Sequence, residues 1–340
     1  SGGGGGGGFG GGGGGGVPGA IKLKTPPKLG GVSSLLWTSN GNGLIASTWD
    51  GKLLAYKVAQ NGLEPMAQHQ FGAPVLSTAA SRSGPYVFAA GCDRQAHMWN
   101  LQRPDMKPTV VAKHGGAIKA IRTINDLLIT GSWDKTVSFW DGKSSKPGIT
   151  ISLGHKVFSL DVEGNMLVVG TAEREVKVFD VRRLLQGNTD PAFQCVPLKF
   201  QLRSVRVMPD QKGFLASSIS GRVRVEYVGN ATSSFSYRCH RDGDNVYSVN
   251  NTTFHPNGCF ATCGSDGGIN FWDKDSKQRL KAFPRHNNTI SAAEFNPNGT
   301  LLAYAVSYDY TMGAAHTAKT LPNEIYVMKV APKDIAPRRR

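Results

Sequence analysis

The chain has 340 residues, 43 of them glycine, with 39 lysines and arginines against 24 aspartates and glutamates. An apolar share of 39% supports a packed core and excludes a wholly disordered chain, while the net charge of +15 favours acidic partners such as nucleic acid, acidic peptide or an anionic membrane surface. No run approaches the roughly 18–20 apolar residues of a membrane span, so no direct membrane insertion is expected. The glycine start lacks the charged-then-apolar pattern of a secretory signal. Five cysteines (Cys92, Cys195, Cys239, Cys259 and Cys263) are an odd and sparse set for a disulfide-built secreted protein, so a reducing compartment is expected.

In chain order, residues 1–19 are a low-complexity tail with 15 glycines and one phenylalanine. Glycine loses the most entropy on ordering, so a disordered tail is expected. Its many matches to G-x-G-x-x-G carry no nucleotide-site argument, because no strand precedes it and no helix follows. Residues 20–31 are a basic, proline-broken lead-in. From Val32 one segment recurs: ASTWDGKLLAYKV (46–58), AAGCDRQAHMWNL (89–101), ITGSWDKTVSFWD (129–141), VVGTAEREVKVFD (168–180), ASSISGRVRVEYV (216–228) and ATCGSDGGINFWD (261–273). A seventh copy begins at LAYAVSYDY (302–310) and resumes at EIYVMKV (324–330). Aligned on Asp50, Asp93, Asp134, Glu173, Gly221, Asp266 and Asp309, the copies repeat every 39–48 residues. That period marks four-stranded propeller blades.

Each copy runs from small residues through a polar turn into a strand of alternating apolar and polar residues. An aromatic follows six residues after the turn, as in Tyr56, Trp99, Trp140, Phe179, Tyr227 and Trp272. β-Branched and aromatic residues dominate, and helical periodicity is nearly absent. The fold class is therefore all-β: a seven-bladed β-propeller over 20–332, with 20–31 closing the ring through an added strand, a disordered tail at 1–19 and a basic tail at 333–340.

The chemistry-bearing residues argue for binding rather than turnover. No Ser/His/Asp constellation, P-loop or H-E-x-x-H occurs, so no catalytic residue, metal or cofactor is expected. Cys259 and Cys263 share a strand face about 13–14 Å apart, too far to share a zinc ion. Charge is more informative. Between Arg182 and Arg241 ten basic residues face only Asp190, Asp210 and Glu226. Lys274 to Arg285 adds five more against Asp275, and the C-terminal end is also basic. Arg222 and Arg224 alternate with Val223 and Val225, so both arginines share a face while the valines pack. Arg203 is read on the preceding strand. An arginine among apolar strand residues needs a carboxylate or phosphate partner, and repeat five lacks the usual turn acid. Tyr237, Trp272, Lys277 and Arg279 add aromatic and basic groups nearby, a combination that also suits stacked single-stranded bases.

GSWDKTVSFWD and CGSDGGINFWD resemble the WD repeat. The resemblance implies a hydrogen-bonded His, Ser/Thr, Asp and Trp set in a blade. It maps to His114, Ser132, Asp134 and Trp140 in the third copy, and to His240, Ser265, Asp266 and Trp272 in the sixth. His69, His155 and His286 fall at comparable places. TAERE, SGRVRVEY, YRCHR, FWDKD, the lysine-rich WDKDSKQRLK and SYDY resemble the nucleoporin-binding mRNA export factors and their sister family, the mitotic-checkpoint propellers. The match covers most of residues 32–330. It implies a monomeric, non-enzymatic scaffold at the nuclear pore, shuttling between nucleus and cytoplasm within a heterocomplex. It further implies that an acidic GLEBS segment of an FG nucleoporin is gripped by Arg203 and Arg222. RNA or ribonucleoprotein is a second implied partner. Two alternatives are a checkpoint propeller binding the GLEBS motifs of kinetochore kinases and a general RNA-binding scaffold. The family usually carries Glu before Gly-Arg-Val, where this chain has Ser220.

Overall fold

A computed structural model describes residues 16–60, 62–142, 144–311, 313 and 322–336. Most of residues 1–19 and the final four therefore lie outside the described residues, including the expected tail over 1–15. The repeats fold into seven four-stranded antiparallel sheets. Six are built from consecutive strands and span residues 32–70, 75–113, 118–152, 157–195, 202–238 and 249–282. The seventh joins Ile290–Phe295, Leu301–Val306 and Glu324–Lys329 to an outer strand from the start of the chain, Ile21–Lys22. This is a seven-bladed propeller, here numbered blade one to blade seven in that order.

Apolar alternation explains the stacking. A single sheet cannot bury its own apolar face, so each face needs the next blade. Seven apolar clusters result, one at each blade boundary. Between blades four and five, for example, Val168, Val176 and Val178 meet Leu202, Val205 and Phe214. The ring closes where Ile21 pairs with Val327 and Lys22 with Tyr326. The Leu23 N–H then donates to the Ile325 carbonyl at 2.8 Å, and the Leu23 side chain is buried.

The packed chain begins earlier, and ends later, than the expected boundaries at 20 and 332. Val17 is buried in the apolar cluster of blades six and seven, because its side chain finds Met328 and Val330. At the other end Pro332–Ile335 forms a short helical turn. The Ile335 carbonyl accepts from Asn257 Nδ2 at 3.2 Å, which docks this turn on blade six.

Two backbone features recur in all seven blades. The first is a left-handed residue in the turn between second and third strands: Gly51, Arg94, Lys135, Arg174, Gly221, Gly267 and Tyr310, with φ from +59° to +84°. The preceding residue is Asp50, Asp93, Asp134, Glu173, Ser220, Asp266 or Asp309. Blade five is thus shifted by one from its sequence alignment. Ser220 holds the acid's place, and Gly221 supplies the left-handed backbone. The aromatic place is correspondingly filled by Glu226 rather than Tyr227, since Phe214 pairs with Glu226 as Leu128 pairs with Trp140. With no acid to flag the turn, the sequence pattern aligns on Gly221, one residue after the acid's place.

The second feature is a β-bulge in every innermost strand. Register slips at Ser33, Leu76, Lys119, Phe158, Arg203, Asn250 and Ser291. A bulge re-aims the extra residue. All seven line one end of the central channel.

Candidate partner-binding face and central channel

Blades three and six each contain a complete side-chain network. In blade three His114 Nδ1 meets Asp134 Oδ2 at 2.8 Å and His114 Nε2 meets Thr130 Oγ1 at 2.7 Å. Trp140 Nε1 donates to the same Thr130 oxygen at 2.8 Å. In blade six His240, Asp266, Thr262 and Trp272 repeat the pattern at 2.7–3.0 Å. The hydroxyl is therefore Thr130 or Thr262, and the assignments to Ser132 and Ser265 are corrected. Ser132 ends the strand Leu127–Ser132, donating to the Gly116 carbonyl and accepting from the Asp134 N–H. Its hydroxyl is committed there, two residues further along the strand than Thr130, which meets the indole. Burial alone would raise the carboxyl pKa of Asp134 and Asp266. Hydrogen bonds from Thr136 and His114, and from His240, outweigh it and hold both below the ordinary value of 3.8.

The remaining histidines diverge from the expected pattern. His69 meets Phe71 edge-on, with ring centroids 4.7 Å apart. His155 is exposed. His286 meets the Tyr304 hydroxyl at 3.2 Å.

Blade five has neither Trp nor Asp at the network positions, and an ion pair takes their place. Arg224 Nε donates to Glu226 Oε2 at 2.7 Å, and Ser234 Oγ donates to Glu226 Oε1 at 3.0 Å. Arg224 is thus satisfied internally and is removed from the partner-binding set. Arg222 differs. It is half-buried, stands opposite Arg238 across the strand pair, and forms no side-chain hydrogen bond or ion pair among the described residues. Like charges directly opposite are unfavourable unless an anion neutralises them.

Arg203 lies on the innermost strand, Leu202–Val207, and Arg222 on the third, Arg222–Tyr227. Gly213–Ser218 runs between them, so the two arginines are not on adjacent strands. They nevertheless stand level with one another. Leu202 pairs with Ser218 across one edge of that strand, and the Ser218–Gly221 turn leads directly into Arg222. Arg203 points into the channel through its bulge, where its Nη2 donates to Asn250 Oδ1 at 3.0 Å. Burial lowers its pKa, with Asp309 acting in the opposite sense.

The channel has two electrostatic levels. At its waist Arg122 meets Asp161 at 2.7 Å, Arg206 meets Asp161 at 3.6 Å, and Arg206 also pairs closely with Glu294. Two cations and two anions compensate one another there, so Arg206 is internal to the framework. A cavity of about 380 Å³ rests on the waist groups Arg122, Arg206 and Glu294 and is lined further up by Arg203, Lys119 and Asp309. Lys119 has no signal in the sequence, because its alternation within IKAIRTI reads as an ordinary strand.

The other expected contacts sit elsewhere, at the outer junction of blades five and six. Tyr237 and Trp272 are buried, with ring centroids 4.7 Å apart. The Tyr237 hydroxyl donates to the Asp273 carbonyl at 2.8 Å, and the Trp272 indole N–H is used by Thr262. Both rings are framework groups, because their polar ends and faces are already engaged. Lys277 remains exposed, its Nζ 4.7 Å from the centre of the Phe235 ring. Arg279 is exposed and borders a cavity of about 280 Å³ shared with Arg238, Arg241 and Arg285. Arg285 is paired with Asp242 and Asp266 at 3.2 and 3.4 Å. All five cysteines are free thiols. The described residues contain no group of three or more potential metal ligands, and no helix long and apolar enough to cross a membrane.

Seven four-stranded blades, two of them holding complete His–Asp–Thr–Trp networks, define a WD-repeat propeller. The family model for the WD domain, G-beta repeat, matches residues 109–141, 231–273 and 277–312. The chain is 35% identical to the mRNA export factor GLE2 of Chaetomium thermophilum and 37% identical to the Poly(A)+ RNA export protein of Schizosaccharomyces pombe, each over 94% of this chain and 92% of the relative. It is 42% identical to Protein RAE1 of Arabidopsis thaliana, over 89% of this chain and 88% of the relative. The chain belongs to this family of WD-repeat mRNA export factors.

Proposed function

We propose that this chain is a non-enzymatic scaffold of mRNA export that docks at the nuclear pore by gripping an acidic GLEBS-type segment of an FG nucleoporin. The observation that carries the reading is the state of Arg222. It is a half-buried cation on a strand whose neighbour Arg224 is fully paired, yet it has no anionic partner among the described residues. Arg203 stands level with it on the same blade and commits one N–H to Asn250. Two guanidinium forks at one end of one blade suit a pair of carboxylates on an extended segment. The names of the relatives, mRNA export factor and Poly(A)+ RNA export protein, support the process. Localisation at the nucleus and pore, with shuttling to the cytoplasm, belongs to this reading.

RNA is the second proposed partner. Its support is the exposed basic groups Lys277 and Arg279 beside Phe235 and the arginine-lined cavity. Affinity purification from cells, with and without RNase, tests the assignment. An FG nucleoporin retained after RNase supports it. Kinetochore kinases in its place would return the checkpoint reading, and partners lost entirely with RNase would return a general RNA-binding scaffold.

A further inference from the structure

We propose that the upper half of the central channel is a binding site for a small, doubly charged oxyanion, inorganic phosphate or a phosphate monoester, held between Lys119 and Arg203. The backbone builds this site. The seven bulges set seven side chains at one level, and the two cationic ones come from blades three and five, flanking Phe158 of blade four.

The charge at this level is only partly compensated, since Lys119 and Arg203 share one lining carboxylate, Asp309. Every aspartate and glutamate of the sequence lies among the described residues, and none pairs with Lys119. Asp309 is the carboxylate whose field reaches Arg203. Its oxygens already accept from Asn250, Ser265 and Thr311 at 2.8–3.2 Å. The waist below is balanced within itself and offers no spare anion. Enclosing two cations with so little compensation is unfavourable, and a bound anion relieves it. The strain registers at Lys119, whose ammonium pKa is drawn down to about 8 by burial and by Arg203.

The hydrogen-bond inventory selects the anion. Ser77 and Ser159 both line the cavity and accept from the N–H groups of Ile121 and Val205, which leaves each hydroxyl proton free to donate. Arg203 has four further N–H groups, and Lys119 has all of its own. The site therefore offers many donors from several directions. A tetrahedral dianion, with acceptor oxygens all round, uses them better than a planar monoanion. The volume of about 380 Å³ accommodates such a group with water. This inference shares Arg203 with the acidic-segment reading but is carried by Lys119, which that reading does not use, so Lys119 variants test it separately.

Phosphorus-31 NMR line widths of inorganic phosphate, titrated with the whole protein, test the site, and melting midpoints with and without phosphate give a second readout. The expected result is saturable broadening and a phosphate-dependent rise in melting midpoint. Both should weaken by about tenfold or more in Lys119→Met and persist in Lys119→Arg. Phosphate-free Lys119→Met should melt no lower than the parent, because the partly compensated cation is gone. Arg182→Ala, on the outer surface, should bind phosphate like the parent. Absence of saturable broadening in the parent, equal loss in Lys119→Met and Arg182→Ala, or acetate binding as well as phosphate would overturn the proposal.

Discussion

Thr130 and Thr262 each stand four residues before the aspartate of their turn, and each takes both the histidine and the tryptophan of its network. Replacing either with valine keeps the shape and removes the shared acceptor. Thr262→Val should cost about 1–3 kcal/mol, because the buried His240 and Trp272 groups lose their partner. Urea denaturation of Thr262→Val beside Ser265→Ala measures this, and the valine variant should be the weaker of the two. The aspartates make the network acid-sensitive. Their folded pKa values lie below the unfolded value near 3.8, so their contribution is present above that pH and is lost as pH falls through the folded value. Asp266→Asn should be less stable at pH 7, and its stability should change less than the parent's below about pH 4. A pH series of melting midpoints checks both points. Much at this scale was legible in the sequence, since His114, Asp134, Trp140, Asp266 and Trp272 were read from the WD motifs. Ser132 lies nearer the aspartate in sequence, but both hydroxyls share a strand face and reach decides between them: Thr130 is diagonal to Trp140, and Ser132 is two residues further along. Lys119 was not legible, because a bulge leaves no mark in an apolar–polar alternation.

Turns and bulges fix the elements more firmly than composition does. The period of the repeats was readable because every turn contains a left-handed residue after an acid, or after Ser220 in blade five. The one-residue misreading of blade five had a chemical consequence. It hid the substitution of the aromatic by Glu226, and hence the internal partner of Arg224. The closing strand is the other decisive element. Ile21–Lys22 covers the edge of Glu324–Lys329, and Val17 and Leu23 are buried beside it. Deleting residues 1–24 removes both side chains from the core and bares a strand edge. The expected cost is about 3–6 kcal/mol, from roughly 1.5–3 kcal/mol for each buried side chain. Concentration-dependent association should accompany it, because an open edge pairs with other chains. Urea unfolding and light scattering together check this outcome. A truncated chain as stable and as monomeric as the parent would mean that the strand does not close the ring.

At the scale of the whole molecule the net charge of +15 resolves into distinct roles. Arg122 and Arg206 are balanced in the waist of the channel, Arg224 is paired within blade five, and Arg182 pairs with Asp180 on the surface. The cations to which binding is proposed here are without a salt bridge among the described residues: Arg203 and Lys119 in the upper channel, Arg222 at the turn end of blade five, and Lys277 and Arg279 at the outer junction. The sequence places the basic excess of residues 182–285 on blades five and six, while Lys119 lies on blade three. It could not separate framework arginines from free ones, because that depends on which carboxylates the fold brings within reach. The acidic-segment reading is tested most directly by titrating a GLEBS-type peptide against the parent, Arg222→Ala and Arg203→Ala/Arg222→Ala proteins, with circular dichroism to verify folding. The account predicts a loss of about 2–5 kcal/mol for Arg222→Ala, with the double variant weaker still. Unchanged affinity in a correctly folded double variant would contradict it.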